Sequence, residues 1–589
     1  MSTIGRRLAS YLAAILAFGL LAFGVGAPPE RCPHLTAAEL RAASVAAADW
    51  LIDNQNADGT WLYEYDRVAD FETDDYNVVR HAGVMSSLYQ AGARDIDGAI
   101  ESADRGLEWA LDHLVERDGW AGVTTGTTIQ AGTNALLLAA LVERRLATGD
   151  TTYDPLMEEL ATFLDDQVEP SGALLAYYDL EPDRPRPDTY SIYYTGEAYW
   201  ALGRLHTVDP TAGWGATADR MGNYMATVRD DVEDIWPPLA DHWSGYGLAE
   251  TAAFPDRSPG EPLTEEEIEF VRRQGGLIGQ RVRSISQRFG PWGVAVRGTF
   301  TPRGGGYGVF GEGLAGLWRA AELDDRLVDE RAPLAERTLC ISGLAVDAQV
   351  TADEAASYPD PSKVEGAWFI DDLTRMDDQQ HALSALLFTM PILEAAPFDT
   401  GHPAPAAWLW ILVVLGTINP VRAALSMPRA GTARHRTTLA ALGGVSGSAA
   451  LLLVAAGSDW IIDAFGTSEP AVRLAAGGVC VLSAGIDVAR RPVVAEPALT
   501  GLRAAIIPVA VPLFVRPAML IAGFSVVADR GMPTYAAALA ISVVALAALG
   551  AASIGDDPAR PVLVWAGRVL SFVAVAGGAL LIADAVFDI

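Results

Sequence analysis

Six segments in the first two thirds of the chain share one layout: polar or aromatic residues, then a small residue, then an apolar run. The first is Asp74-Asp75-Tyr76-Asn77-Val78-Val79-Arg80-His81-Ala82-Gly83. The others are Gln130–Asn134, Tyr194–Glu197, Tyr246–Glu250, Phe310–Gly313 and Asp378–Ala382. A recurrence every ~50–60 residues restricts the fold to repeat architectures, where each unit buries its apolar face against the next. Twelve helical patterns fit residues 33–400, near 37–55, 75–90, 97–115, 128–148, 154–167, 190–206, 213–229, 240–254, 264–287, 308–322, 327–350 and 378–395. Odd-numbered patterns carry the charge, as in Glu158-Glu159 and Glu265-Glu266-Glu267. Even-numbered ones are apolar on most faces, as buried helices are. Six outer and six inner helices predict an all-α (α/α)6 toroid.

Composition divides the chain. Residues 1–26 carry Arg6-Arg7 ahead of an apolar run and read as a signal peptide or membrane anchor. Residues 33–400 are acidic and rich in Trp and Tyr, whereas 404–589 are mostly Ala, Val, Leu, Ile and Gly. The formal net charge of -32 argues against a nucleic-acid partner, because phosphate contacts need a basic face. Three cysteines, Cys32, Cys340 and Cys480, form no CxxC pair, so a zinc ribbon is excluded. Cys32 precedes the first outer helix and Cys340 lies on the last, so ring closure predicts a Cys32–Cys340 disulfide.

The outer helices end in a second repeat. Gln55-Asn56-Ala57-Asp58-Gly59-Thr60-Trp61 and Gln287-Arg288-Phe289-Gly290-Pro291-Trp292 are clear copies. Gln167…Gly172-Ala173-Leu174 and Gln349…Gly366-Ala367-Trp368 are looser ones. This resembles the QW repeat of the terpenoid-cyclase and prenyltransferase toroids, over residues 35–395. The resemblance implies architecture rather than activity.

The 404–589 half holds six membrane-length runs, near 404–424, 438–457, 470–488, 503–528, 534–553 and 562–584. Basic loops at Arg422–Arg436 and Arg490-Arg491 alternate with acidic ones, which predicts an extracytoplasmic toroid and a lipid-bilayer partner. Proline-broken stretches at Ile418-Asn419-Pro420-Val421-Arg422 and Pro508…Pro512…Arg516-Pro517 suggest an inverted repeat. With Gly466-Thr467-Ser468 they resemble the MarC-like membrane proteins, related to LysE-type exporters. The resemblance implies transport, with Asn419, Pro420, Arg422, Pro508, Pro512 and Arg516 near one cavity.

Aligned on their small residues, the inner helices bring His81, Asn134, Glu197, Glu250, Glu312 and His381 to one level. Buried carboxylates opposite histidines suit acid/base chemistry. The expected catalytic groups are His81, Glu197, Glu250, Glu312 and His381. Arg80, Asn134, Tyr193, Tyr194, Trp243, Tyr307, Trp368, Asp378 and Gln380 are expected to bind substrate. Asp74, Asp75, Asp377 and Asp378 are read equally well as helix caps. Six-hairpin glycosidases and sugar epimerases share such a barrel, which implies a carbohydrate-active hydrolase or epimerase acting on a cell-envelope glycan. Glu72-Thr73-Asp74-Asp75 faintly resembles the terpene-cyclase DxDD motif, though its first Asp is Glu. A zinc site of the LanC or prenyltransferase kind needs a cysteine on an inner helix, and none is there, so neither metal nor cofactor is expected. A non-catalytic sensor that gates the membrane half is the competing reading.

Overall fold

The computed structural model describes residues 30–236, 238–288, 302–396, 405–428, 431–458, 460, 469–490, 492, 494, 501–551 and 560–587. The expected leader, the Gly290–Trp292 end of one turn repeat and Gly466–Ser468 lie outside them. The chain divides into two compact units, one of Arg31–Ser286 with Thr299–Thr400, the other mainly Gly401–Ile589.

Among the described residues the first unit holds twelve helices of more than ten residues: α1 (Ala37–Asp53), α2 (Val78–Gly92), α3 (Ala99–Asp112), α4 (Ala131–Thr148), α5 (Asp154–Gln167), α6 (Tyr194–Val208), α7 (Trp214–Thr227), α8 (His242–Ala252), α9 (Glu265–Ser286), α10 (Gly304–Leu323), α11 (Val328–Ala348) and α12 (Met376–Ala395). The even-numbered helices pack in a closed cycle, each against the next and α12 against α2. The odd-numbered ones form the outer layer. Sequence periodicity explains the division. α3 buries Ala99, Ser102, Ala103, Gly106, Leu107 and Ala110, one stripe at helical spacing, and turns its charges outward. α4 is buried at every residue from Ala131 to Glu143 and belongs to the interior.

The turn repeat ties neighbouring outer helices together. Gln55 Nε2 donates to Gly59 O at 3.1 Å and to Ser102 O on α3 at 2.9 Å. Gly59 has φ +91°, and a Cβ there would lie 2.3 Å from Arg105 O, so only glycine fits. Gln349 repeats the arrangement, donating to Ala43 O and Gly366 O. Cys32 and Cys340 are joined in a disulfide, Cα–Cα 4.6 Å.

Short strands, absent from the all-α expectation, decorate the loops before the inner helices. β1 (Glu64–Asp66) pairs antiparallel with β2 (Phe71–Glu72) and with β8 (Leu373–Arg375), so Glu64↔Arg375 links the first hairpin to the last. β3 (Leu114–Arg117) pairs with β4 (Trp120–Val123), and β5 (Thr128–Gln130), β6 (Tyr177–Asp179) and β7 (Arg184–Pro185) form a third sheet. The caps also differ from expectation. Asn77, not Asp74 or Asp75, caps α2, its side chain accepting from Arg80 N.

The second unit contains α13 (Ala407–Ile418), α14 (Pro420–Ser426), α15 (Ala433–Ala455), α16 (Glu469–Ala489), α17 (Pro517–Ala551) and α18 (Arg560–Phe587). Among the described residues five helical stretches are long and apolar enough to cross a membrane, α13 and α14 counting as one. The six expected runs are reorganised. Residues 503–516 form an irregular segment with non-helical backbone at Ile507 and Val511. The runs at 517–528 and 534–551 belong to α17, whose 35 residues change direction at Gly531, φ +75°.

Candidate functional site

Four polar residues of the inner helices, Glu197, His242, Glu312 and His381, come together toward the helices' N-terminal ends. α10 begins about two turns earlier than its neighbours, so Glu312 comes from its third turn. Glycine sets the approach. A Cβ on Gly308 would lie 2.3 Å from the backbone of His381, so α10 and α12 touch and bring Glu312 against that histidine. On the far side, a Cβ on Gly132 would meet Glu197 Oε2 at 2.4 Å, so α4 leaves room for this carboxyl group.

His381 Nδ1 is hydrogen-bonded to Glu312 Oε2 at 2.8 Å. The His242 and His381 rings are 5.2 Å apart, edge to face, and Trp243 lies 5.8 Å from His381. His242, Glu312 and Glu197 are 5%, 1% and 4% exposed. His242 Nε2, Glu312 Oε1 and Glu197 Oε2 are buried without a hydrogen-bond partner among the described residues. Orphaned buried polar atoms carry a free-energy cost and mark places where a ligand or water completes the bonding.

The three titrating groups are driven apart. Burial lowers His242 to about 3, with His381 adding to the effect, so it is neutral near pH 7. Burial alone would also depress His381, but the charge and hydrogen bond of Glu312, with Asp377 and Asp378 behind, hold it above its ordinary value. Burial raises Glu197 to about 8, partly offset by His381, so its carboxyl keeps a proton at neutral pH. The site thus contains a neutral imidazole, a second imidazole whose protonated form Glu312 favours, and a carboxylic acid.

Two residues absent from the sequence reading build this arrangement. Asp241 caps α8 by accepting from Trp243 N at 3.0 Å and pairs with the buried Arg229. Arg229 also donates to Ile192 O, fixing the approach to α6, and is paired with Glu233. His242 itself was missed because α8 was aligned on Tyr246-Gly247. The signal was there one turn earlier, in Asp241-His242-Trp243-Ser244-Gly245, which has the same polar-then-small layout.

Several expected site residues lie elsewhere. His81 is turned toward the outer wall, bonded to Tyr76 Oη at 2.7 Å and Gly106 O at 2.9 Å and packed against Trp61 and Trp109. Glu250 follows His242 by two helical turns and lies between Arg204 and Arg319, at 3.3 and 2.8 Å. Asn134 is spent on backbone, accepting from Val123 N and donating to Gln130 O. Trp368 is 1% exposed and donates to Ala345 O. Each is a polar or aromatic side chain satisfied inside the wall. Asp378 accepts from Arg303, Gly305 N and Arg375 N, and so orders the start of α12.

Others flank the cluster. Gln380 Nε2 lies 3.3 Å from His381 Nδ1. Tyr194, in the first turn of α6, donates to Gln130 Oε1 at 2.9 Å. Arg80 pairs with Asp377 at 3.0 Å rather than with Asp74 or Asp75. Tyr193 is 47% exposed, and Tyr307 is buried in the first turn of α10. Where no metal was expected, the ligand atoms of His242, Glu312 and His381 all lie within 4.8 Å of one another, close enough to take one up.

In the second unit Arg422 Nε lies 2.9 Å from Asp487, and Arg516 pairs with the same carboxylate. Asn419 donates to Gly567 O and Ser571 Oγ. α14, which starts at Pro420, packs against the irregular segment that contains Pro508. The side chain of Pro512 lies outside the described residues.

The first unit is an α/α toroid with a titratable cluster in its ring. No known protein family matches the sequence, and no curated protein does. Solved structures do. The chain is similar to cellobiose 2-epimerase from Spirochaeta thermophila DSM 6192, at 15% identity and TM-score 0.43, covering 61% of this chain and 98% of that one. It is also similar to a D-mannose isomerase, at 10% identity and TM-score 0.39, covering 61% and 98%. A third is the GH76A alpha-1,6-mannanase from Salegentibacter sp. HEL1_6, at 10% identity and TM-score 0.31, covering 60% and 99%.

Proposed function

We propose that the toroid is a carbohydrate-active enzyme working by proton transfer at a sugar carbon, an epimerase or isomerase rather than a hydrolase. The observation that carries this is the pair of adjacent histidines, one bonded to Glu312 and the other buried with its Nε2 unpaired among the described residues. In an open-chain sugar, His242 Nε2 takes the proton from the carbon beside the carbonyl, and the C–H electrons move into an enediolate. The acidic Glu197 or His381 stabilises the oxygen that gains charge. Return of a proton to the opposite face inverts the carbon; return to the neighbouring carbon moves the carbonyl. A hydrolase of the usual kind needs two carboxyl groups flanking the bond, and here Glu312 is bonded to His381. Trp243, Tyr193, Tyr194 and Arg80 supply stacking faces and a cation for the rest of the substrate.

The same reading makes this a membrane-bound cell-envelope protein with the toroid outside the cytoplasm. The Cys32–Cys340 disulfide supports that side, since disulfides persist in oxidising compartments. The apolar second unit is read as transporter-like, which links sugar processing to passage of a solute across the membrane. The test of the enzymatic reading is full-length protein in detergent, incubated in D2O with a panel of reducing sugars and envelope-derived oligosaccharides. Deuterium at a sugar carbon is the expected result. Glycan binding without any exchange would favour the sensor instead.

A further inference from the structure

Two charged clusters lie in the membrane unit, one centred on the buried Arg473–Asp529 pair and one, around Asp487, partly buried. In the first, Arg473 of α16 pairs with Asp529 of α17 through Nε at 2.9 Å and with Asp584 of α18 through Nη1 at 2.8 Å. Trp410 of α13 also donates to Asp529, at 3.1 Å. The Arg473 side chain is 3% exposed and that of Asp529 0%. The second cluster is Asp487 of α16 with Arg422 of α14 and Arg516, which precedes α17. Charges in an apolar bundle are costly, and they mark pathways more often than scaffolding.

Their placement is ordered. Arg473, Cys480 and Asp487 are spaced seven and seven along α16, so they share one face of the helix. At 1.5 Å per residue the two clusters are about 21 Å apart, within a hydrocarbon core of about 30 Å. Cys480 lies midway and is fully buried. The backbone breaks at Asn419 and at Ile507 and Val511 occur in the two segments that pack together beside the Asp487 cluster. Irregular backbone at membrane depth is tolerated where it lines protein or a water-filled path.

We propose that this face of α16 is a conduit for a small hydrophilic solute, closed in the present state by an ion-pair gate at each end. Arg473–Asp529–Asp584 closes one end and Arg422–Asp487–Arg516 the other. The conduit opens to one membrane face at a time when one cluster separates. This rests on the transporter-like reading of the unit, and it adds the position of the path and both its gates.

The protein carries its own reporter. Cys32 and Cys340 are joined, so Cys480 is the remaining thiol of the three. Full-length protein is placed in vesicles of both orientations and treated with a membrane-impermeant charged maleimide. Unaltered protein is expected to label slowly from either face. Asp529→Asn should speed labelling about tenfold or more from one face only, and Asp487→Asn by a similar factor from the other face only, because a thiol reacts as it becomes accessible. Labelling from the same face in both variants, or from both faces in either one, overturns the gates while leaving a water-filled path. Cys480 inert in every variant overturns the gates and the transporter-like reading together.

Discussion

His381 has the Glu312 carboxyl group 2.8 Å from its Nδ1, whereas His242, its ring 5.2 Å away, has no partner on Nε2 among the described residues. On the proposed mechanism the unpaired imidazole is the base, and the paired one favours its protonated form. Removing either should stop proton transfer, since a positioned acid or base contributes about 10²–10⁴-fold. His242→Ala and His381→Ala are expected to lower kcat by factors in that range. Glu312→Gln should cost part of it, because the amide keeps a hydrogen bond but not the charge. In the double variant, Glu312→Gln with His381→Ala, the losses should not add, because the two groups act as a unit. Deuterium exchange in the sugar product measures all four.

Activity against pH follows from the same burial. The base limb belongs to His242, which burial holds near 3, so kcat/KM should not fall through pH 6.5 as an ordinary histidine base would require. Glu197, one of the two candidate acids, is held near 8 by burial, so the activity that depends on it should decline above about that pH. In Glu197→Gln the decline near 8 should disappear and the plateau rate should be lower. Stability has a sign that can be checked independently. Because the folded pKa of Glu197 is raised, its contribution is full below pH 4.5 and is lost as pH rises toward 8. Denaturant titrations of Glu197→Gln should lack that part of the slope.

A divalent metal should act as an inhibitor. His242, Glu312 and His381 offer ligand atoms within 4.8 Å of one another, and two histidines with one glutamate suit zinc. A captured ion would occupy the lone pair that His242 needs as a base. Micromolar zinc is expected to suppress exchange in steady-state assays, a chelator to restore it, and chelator-treated protein to retain its full rate. Stimulation by zinc would reassign the three groups to metal-assisted chemistry.

Much of the toroid is legible in the sequence because its signals are periodic. Charge on alternate helices separates the outer layer from the inner, and Gln55…Gly59 and Gln349…Gly366 mark the turns between outer helices. Direction around a helix is less legible. His81 and His381 both follow a polar stretch on an inner helix, yet one faces Trp61 and Trp109 and the other Glu312. Adjacent residues on a helix point about 100° apart, and small residues alone do not say which faces the axis. Glu250 shows the same weakness along the helix: a register two turns too late brought an ion-paired wall residue into the expected site. The strand pairing of Tyr65 with Thr374 had no alternating run long enough to announce it.

His81 therefore yields an opposite prediction to His381. Its Nδ1 faces Tyr76 and its Nε2 the carbonyl of Gly106, and burial lowers it to about 4, so it is a neutral bridge between α2 and α3. His81→Ala leaves both partners unsatisfied in a buried place, at a cost of about 1–3 kcal/mol. Thermal or urea unfolding should register this loss, while turnover per folded molecule stays unchanged. A loss of turnover at full stability would return His81 to the catalytic group.

Ring closure supplies the last prediction. The first and last hairpins are held together by the β1–β8 ladder, by α12 packed against α1 and α2, and by Cys32–Cys340, which spans 308 residues of sequence. Cross-linking so long a loop restricts the unfolded chain and stabilises by about 5 kcal/mol in chain-entropy terms. Cys340→Ser, or reduction of the native protein, should lower the unfolding free energy of the toroid by an amount of that order. The disulfide acts mainly on the unfolded state, so the folded site should stay assembled, and exchange in the sugar product should continue below the new unfolding midpoint. Unchanged stability after reduction would mean that the strand ladder and helix packing close the ring unaided, or that the reduced chain already keeps its two ends together when unfolded. The denaturant slope separates these: a compact unfolded state exposes less surface and has a smaller m-value than an open one.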